Sequence, residues 1–189
     1  MATIAYYDLT SAECFALHEI VRALPAAPAI EWRGVQGDPA LPERMRPFDR
    51  RARSRVETEI LDAQRFAPDV RFVTPRGRPN TRRALQAVAS VERMHVPGAG
   101  RLRELLFRAY WWDGADVSDV ATIRRLAEDA GVPPWVDLEH QATQAVQVGW
   151  ELQWAVERLG GVPRVIRDDG QILWSLRDAA AVGAFLGGG

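Results

Sequence analysis

A chain of 189 residues that is 47% hydrophobic can bury a substantial core, which excludes a disordered segment. Its formal net charge of -1 makes no global electrostatic case for nucleic acid, and no apolar run is long enough to span a bilayer. Cys14 is the only cysteine, so an internal disulfide is impossible, the chain cannot cycle a dithiol by itself, and no cysteine-based metal site is expected.

The N-terminus has no basic segment followed by an apolar one, so the expected compartment is the cytoplasm. Ile4, Tyr6 and Tyr7 suit a strand that runs straight into a polar turn. Thr10 and Glu13 have the capping-box spacing, with the Thr10 hydroxyl placed to accept from the Glu13 amide and Glu13 to reach back to the Thr10 amide. Cys14, Leu17, Val21 and Leu24 then recur at helical spacing as one apolar stripe, which Pro25 ends. The first turn of such a helix has free amides and the positive end of the helix dipole, where a thiolate is stabilised. Ser11 sits at the mouth of that turn, Cys14 lies three residues on along the same side, and His18 is one turn further, in reach of Cys14.

Residues 29–36 alternate as a second strand, parallel to the first in a right-handed β-α-β unit. Residues 50–66 read as a helix with Val56, Ile60 and Leu61 on its apolar side and four arginines (Arg50, Arg51, Arg53, Arg55) crowding its start. Residues 70–75 are extended, and Asn80 and Thr81 are placed to cap a helix over 82–94. Further helices are expected over 102–112, 117–130 and 137–159, the last with Gly149 as a break. Strands 164–166 and 171–174 flank a hairpin signal, Asp168-Asp-Gly170, and residues 179–186 form a final helix. The order β-α-β, helices, β-β-α predicts an α/β thioredoxin core, residues 1–38 and 160–189, split by a large all-helical insertion, residues 39–159, within a single domain.

The stretch Asp8-Leu-Thr-Ser-Ala-Glu-Cys14 resembles the D-x-x-C-P-W-C motif of the DsbA/FrnE branch of thioredoxin-fold oxidoreductases. It also resembles the D-x-x-S-P-Y-S form of 2-hydroxychromene-2-carboxylate isomerases and kappa-class glutathione transferases. Pro79-Asn-Thr81, Ala109-Tyr-Trp-Trp-Asp-Gly114, Asp116-Val-Ser-Asp119, Leu126-Ala-Glu-Asp-Ala-Gly131 and Gly161-Val-Pro163 follow in the order of the DsbA/FrnE insertion and proline loop, so the resemblance covers nearly the whole chain. It implies that Ser11 stands for the attacking cysteine or the glutathione-activating serine, and Cys14 for the second cysteine. It also implies that the Val162-Pro163 bond is cis and that this loop, with Thr10, Glu13 and His18 around the helix start, contacts the ligand.

The chain departs from that pattern in having no lysine, in Asn80 as its one asparagine, and in Ala12 and Glu13 where proline and an aromatic are usual. Two functions remain open. One is thiol- or glutathione-linked redox, isomerase or transferase chemistry at a Ser11-x-x-Cys14 site, with glutathione as the cofactor and no metal. The other is a redox-inactive binding module for a peptide or small hydrophobic ligand. The expected partner is a small-molecule thiol or a peptide, not nucleic acid or membrane, with a homodimer left open.

Overall fold

The computed structural model describes residues 2–25 and 29–187. Strand β1 (Thr3–Tyr7) leads into helix α1 (Ala12–Ala23) and returns through β2 (Ile30–Gly34). The chain then passes through β3 (Arg46–Pro47), α2 (Arg50–Phe66), β4 (Gly77–Arg78), α3 (Arg82–Arg93), α4 (Ala99–Trp111), α5 (Val120–Asp129) and α6 (Gln141–Val156). It closes with β5 (Arg164–Ile166), β6 (Ile172–Leu173) and α7 (Ala179–Gly187). The main sheet has the order β2-β1-β5-β6. β1 pairs parallel with β2 and antiparallel with β5, and β6 is antiparallel to β5. That is the thioredoxin arrangement, with the segment from β3 to α6 inserted between β2 and β5.

The alternation in β1 sorts its side chains to two sides of the sheet. Ala5 and Tyr7 enter the main core, whereas Tyr6 joins Val35 and Leu159 in a smaller cluster under Trp150 and Trp154. α1 buries Ala12, Cys14, Phe15, Ala16, Leu17, His18, Ile20 and Val21. This is far broader than the stripe that spacing alone suggests, because α1 lies between the sheet and the inserted helices. Gly34 on β2 is required by close approach: a Cβ there would sit 2.8 Å from Leu85 Cδ2 of α3. The same apolar cluster runs from β1 and α1 into α2, α3, α4 and α5.

Several expectations need correction. The insertion is not all helical, since β3 and β4 pair as a short ribbon (Arg46 with Arg78, Pro47 with Gly77). Gly77 permits it, because a Cβ there would lie 2.1 Å from the Arg46 carbonyl oxygen. α2 starts at Arg50 as expected, its crowded arginines offset by Asp49, whose side chain accepts from the Ala52 amide at 2.7 Å. Leu61, placed on the apolar side of α2 by spacing, is exposed, and Ala63 is buried in its stead. α3 is capped by Asn80 Oδ1, which accepts from the Arg82 amide at 3.1 Å, while the Thr81 side chain makes no cap bond. α5 starts at Val120, because Asp119 accepts from the Thr122 amide at 2.8 Å and Asp116 turns the chain before it. α6 is shorter than residues 137–159 and runs unbroken through Gly149.

Candidate ligand cleft

The turn between β1 and α1 is built on a buried carboxylate. Asp8 Oδ1 accepts from the Thr10 amide at 2.9 Å and the Thr10 hydroxyl at 3.1 Å, and Oδ2 accepts from the Gly37 amide at 2.6 Å. The loop after β2 is thereby tied to the turn after β1. Burial raises the Asp8 pKa, and the bonds from Thr10, Gly37 and Thr81 pull it the other way. From behind, Trp111 Nε1 of α4 donates to the Leu9 carbonyl at 3.0 Å, so the insertion holds the turn as well.

This network overturns the expected capping box. Thr10 gives both of its donors to Asp8, and Ser11 is the N-cap, its hydroxyl accepting from the Cys14 amide at 3.3 Å. Ser11 also donates to the Val162 carbonyl across the cleft at 3.5 Å, a long and weak bond. The Val162-Pro163 peptide bond is cis. Thr10, Ser11, Glu13 and Val162 line one cleft of about 560 Å³, and Pro163 is buried beside it.

Cys14 and His18 do not reach that cleft. Cys14 is fully buried, and burial pushes its thiol up to about 12 in spite of the Ser11 hydroxyl beside it. His18 is buried with its ring against Trp32 and Phe107, centroids 5.6 and 5.2 Å away, and its Nδ1 lies 3.4 Å from Glu19 Oε1. Among the described residues no hydrogen bond joins His18 to Cys14, so the Cys-His pair that the spacing permits is not formed. The two side chains share a helix face, but the ring turns to Glu19 and the aromatics.

Burial lowers the His18 pKa from its ordinary 6.5, with nearby Arg103 adding to the shift and Glu19 opposing it. A depressed folded-state value means that stability present above pH 6.5 is lost as pH falls through the folded pKa. The advantage in melting temperature of the wild type over His18→Gln is expected to narrow between pH 8 and pH 5. An advantage that widened on acidification would show that the ring is protonated in the fold.

Two cleft residues were not picked out from the sequence. Arg164 is pinned by its own backbone surroundings, with Nε donating to the Leu159 carbonyl at 2.6 Å and Nη1 to the Pro163 carbonyl at 2.7 Å. Its guanidinium lies 5.5 Å from the centroid of the exposed Trp174 ring. The position of Arg164 directly after Gly161-Val-Pro163 is the signal that marks it. Arg78, also in the cleft, is paired with Glu59 at 2.6 Å. Glu13 and Asp38 complete a rim richer in carboxylates than in cations. Among the described residues no group of three His, Cys, Asp or Glu side chains could hold a metal ion, and no helix is long and apolar enough to cross a membrane.

No protein-family model and no curated protein matches the sequence. Solved structures do match the fold. The cytosolic disulfide reductase DsbM from Pseudomonas aeruginosa, solved with GSH, superposes with a TM-score of 0.76 at 13% identity, over 100% of this chain and 98% of that one. A 2-hydroxychromene-2-carboxylate isomerase superposes with a TM-score of 0.72 at 16% identity, over 99% of this chain and 95% of that one. The likeness spans both proteins end to end, insertion included, and the chain therefore has the DsbA-like thioredoxin fold.

Proposed function

We propose that the cleft binds a thiol-bearing small molecule or peptide, and that Ser11 holds the ligand's sulfur for isomerase, transferase or thiol-redox chemistry. The observation that carries this reading is the division of the motif: Ser11 lines the cleft, whereas the one cysteine is buried behind it. A reactive sulfur must then come from the ligand. The Ser11 hydroxyl is bound only weakly to Val162 and is free to turn and donate to that sulfur. The amides and dipole at the start of α1 favour the thiolate form. Val162, on the opposite wall, offers its backbone to an extended ligand.

Glutathione is the ligand we propose, and Arg164 is the residue suited to its carboxylates, being a planar fork already held in place by two carbonyls. DsbM was solved with GSH, which supports the same choice here. Cytoplasmic residence is part of this reading, because that compartment keeps glutathione and single thiols reduced. The second reading, a redox-inactive module for a peptide or small hydrophobic ligand, is favoured by the Glu13 and Asp38 carboxylates at the rim, which disfavour another anion.

A thermal-shift titration separates the two. Reduced glutathione is expected to raise the melting temperature with the logarithm of its concentration above Kd, the added stability being about 2.7 kcal/mol at a hundredfold excess over Kd. Ser11→Ala is expected to weaken that binding about tenfold to a hundredfold, the loss of one hydrogen bond to a charged sulfur. A flat response up to millimolar glutathione would sink the glutathione reading and leave the binding module.

A further inference from the structure

The cleft is short of cations for glutathione itself. That tripeptide carries two carboxylates, one at its γ-glutamyl end and one at its glycine end. Two basic side chains, Arg78 and Arg164, line the cleft. Arg78 is committed to Glu59 at 2.6 Å. Arg164 has Nε on the Leu159 carbonyl and Nη1 on the Pro163 carbonyl, which leaves Nη2 to meet one carboxylate. The second carboxylate then finds no cation among the described lining residues. Asp8 is held by the Thr10 and Gly37 amides, and the charged side chains that remain, Glu13, Asp38 and Asp62, are all acidic.

Sheet order gives the two ends of the cleft different characters. β1, which leads to Ser11, lies between β2 and β5. Val162, Arg164, Trp174 and Ser175 come from the β5–β6 side. Asp38 comes from the loop after β2, with Glu59 and Asp62 of α2 on the same cleft. With the ligand's sulfur on Ser11, an amino-acid end, carboxylate plus ammonium, matches Arg164 together with Glu13. The other end of an extended tripeptide meets Asp38 and Asp62, where a carboxylate is repelled and an ammonium attracted. Asp38 uses Oδ1 for the Ala40 amide at 3.1 Å and keeps its other oxygen for a ligand. Asp62 has Arg65 at 3.2 Å, a pair lying largely in solvent that a ligand's cation can join.

We propose that the cleft selects a glutathione-type thiol whose glycine carboxyl is joined in amide linkage to an amine, so that a positively charged arm lies along Asp38, Asp62 and the Glu59–Arg78 pair. This rests on the reading that Ser11 holds the sulfur of a thiol ligand in this cleft. The amide linkage removes the one carboxylate for which the cleft has no cation. The ammonium at the end of the arm turns repulsion at that wall into attraction, and charge here sets which thiol is chosen.

Calorimetric titration with three reduced thiols tests this: glutathione, its glycine aminopropyl amide, and its glycine butyl amide, which puts a methyl where the ammonium stands. The aminopropyl amide is expected to bind about tenfold tighter than the butyl amide, the worth of about two partly exposed ion pairs, and tighter than glutathione. The preference is expected to shrink as salt is raised from about 20 to 300 mM. Asp38→Asn combined with Asp62→Asn is expected to bring the two amides within about twofold of each other at unchanged melting temperature, since both positions are at the surface and Asn keeps the acceptor for the Ala40 amide. Equal binding of the two amides, glutathione binding tightest, or a preference that survives the double variant overturns the proposal and leaves the thiol reading standing. Failure of all three to bind up to millimolar concentration overturns both.

Discussion

Ser11→Cys is expected to close a disulfide with Cys14 under mild oxidation and so to convert a chain with one inert thiol into a dithiol protein. The Ser11 side chain already lies against the Cys14 amide and thiol. Residues three apart on a helix have Cα atoms about 5 Å apart, inside the range that a disulfide bridges. The introduced thiol would also stand at a helix N-terminus on a cleft, the setting that lowers a thiol pKa and makes it the attacking partner. Thiol titration of the oxidised protein should find no free sulfhydryl, against two after reduction, and its mass should be lower by two hydrogens. Two free thiols persisting in an oxidising glutathione buffer would show that the turn does not present Ser11 and Cys14 to one another as described.

The second large effect is on stability. Trp111 is fully buried, stacked near parallel to Phe15 at 6.4 Å and edge-on to Phe72 and Tyr110 at 5.4 and 4.8 Å. Trp111→Ala removes that ring and leaves the Leu9 carbonyl without its donor. The cavity costs about 3–5 kcal/mol and the orphaned buried carbonyl about 1–3 kcal/mol more. For a protein of this size the melting temperature should fall by about 10–20 °C. Trp111→Phe keeps one six-membered ring but deletes the N–H and the rest of the indole, so its loss should lie between the hydrogen-bond share and the full loss of Trp111→Ala. Equal losses in the two variants would mean that a phenyl ring at this position adds no stability.

The skeleton of the fold was legible because it rests on local patterns. The alternation in residues 3–7, the helical spacing of Cys14, Leu17 and Val21, and Gly170 in the final hairpin all report on neighbours in sequence. The features that escaped depend on groups far apart. Thr10 reads as a cap until Gly37 and its own amide bring Asp8 into play, and then Ser11 takes the part. The ribbon of Arg46 with Arg78 has two residues per strand, too few for any periodicity to show. Arg164 is one arginine among many until its guanidinium reaches back to Leu159.

The bond from Trp111 to the Leu9 carbonyl, together with Asp8, divides the site into two parts with different freedom to change. The floor is locked from three sides, by β1, the loop after β2 and α4, so a substitution in any of them is felt at Ser11. The side chains of the rim residues Glu13, Arg164 and Trp174 share no hydrogen bond with that lock among the described residues. Ligand preference can therefore drift one rim residue at a time, over a turn whose geometry is inherited unchanged, and proteins with the same floor need not share a substrate.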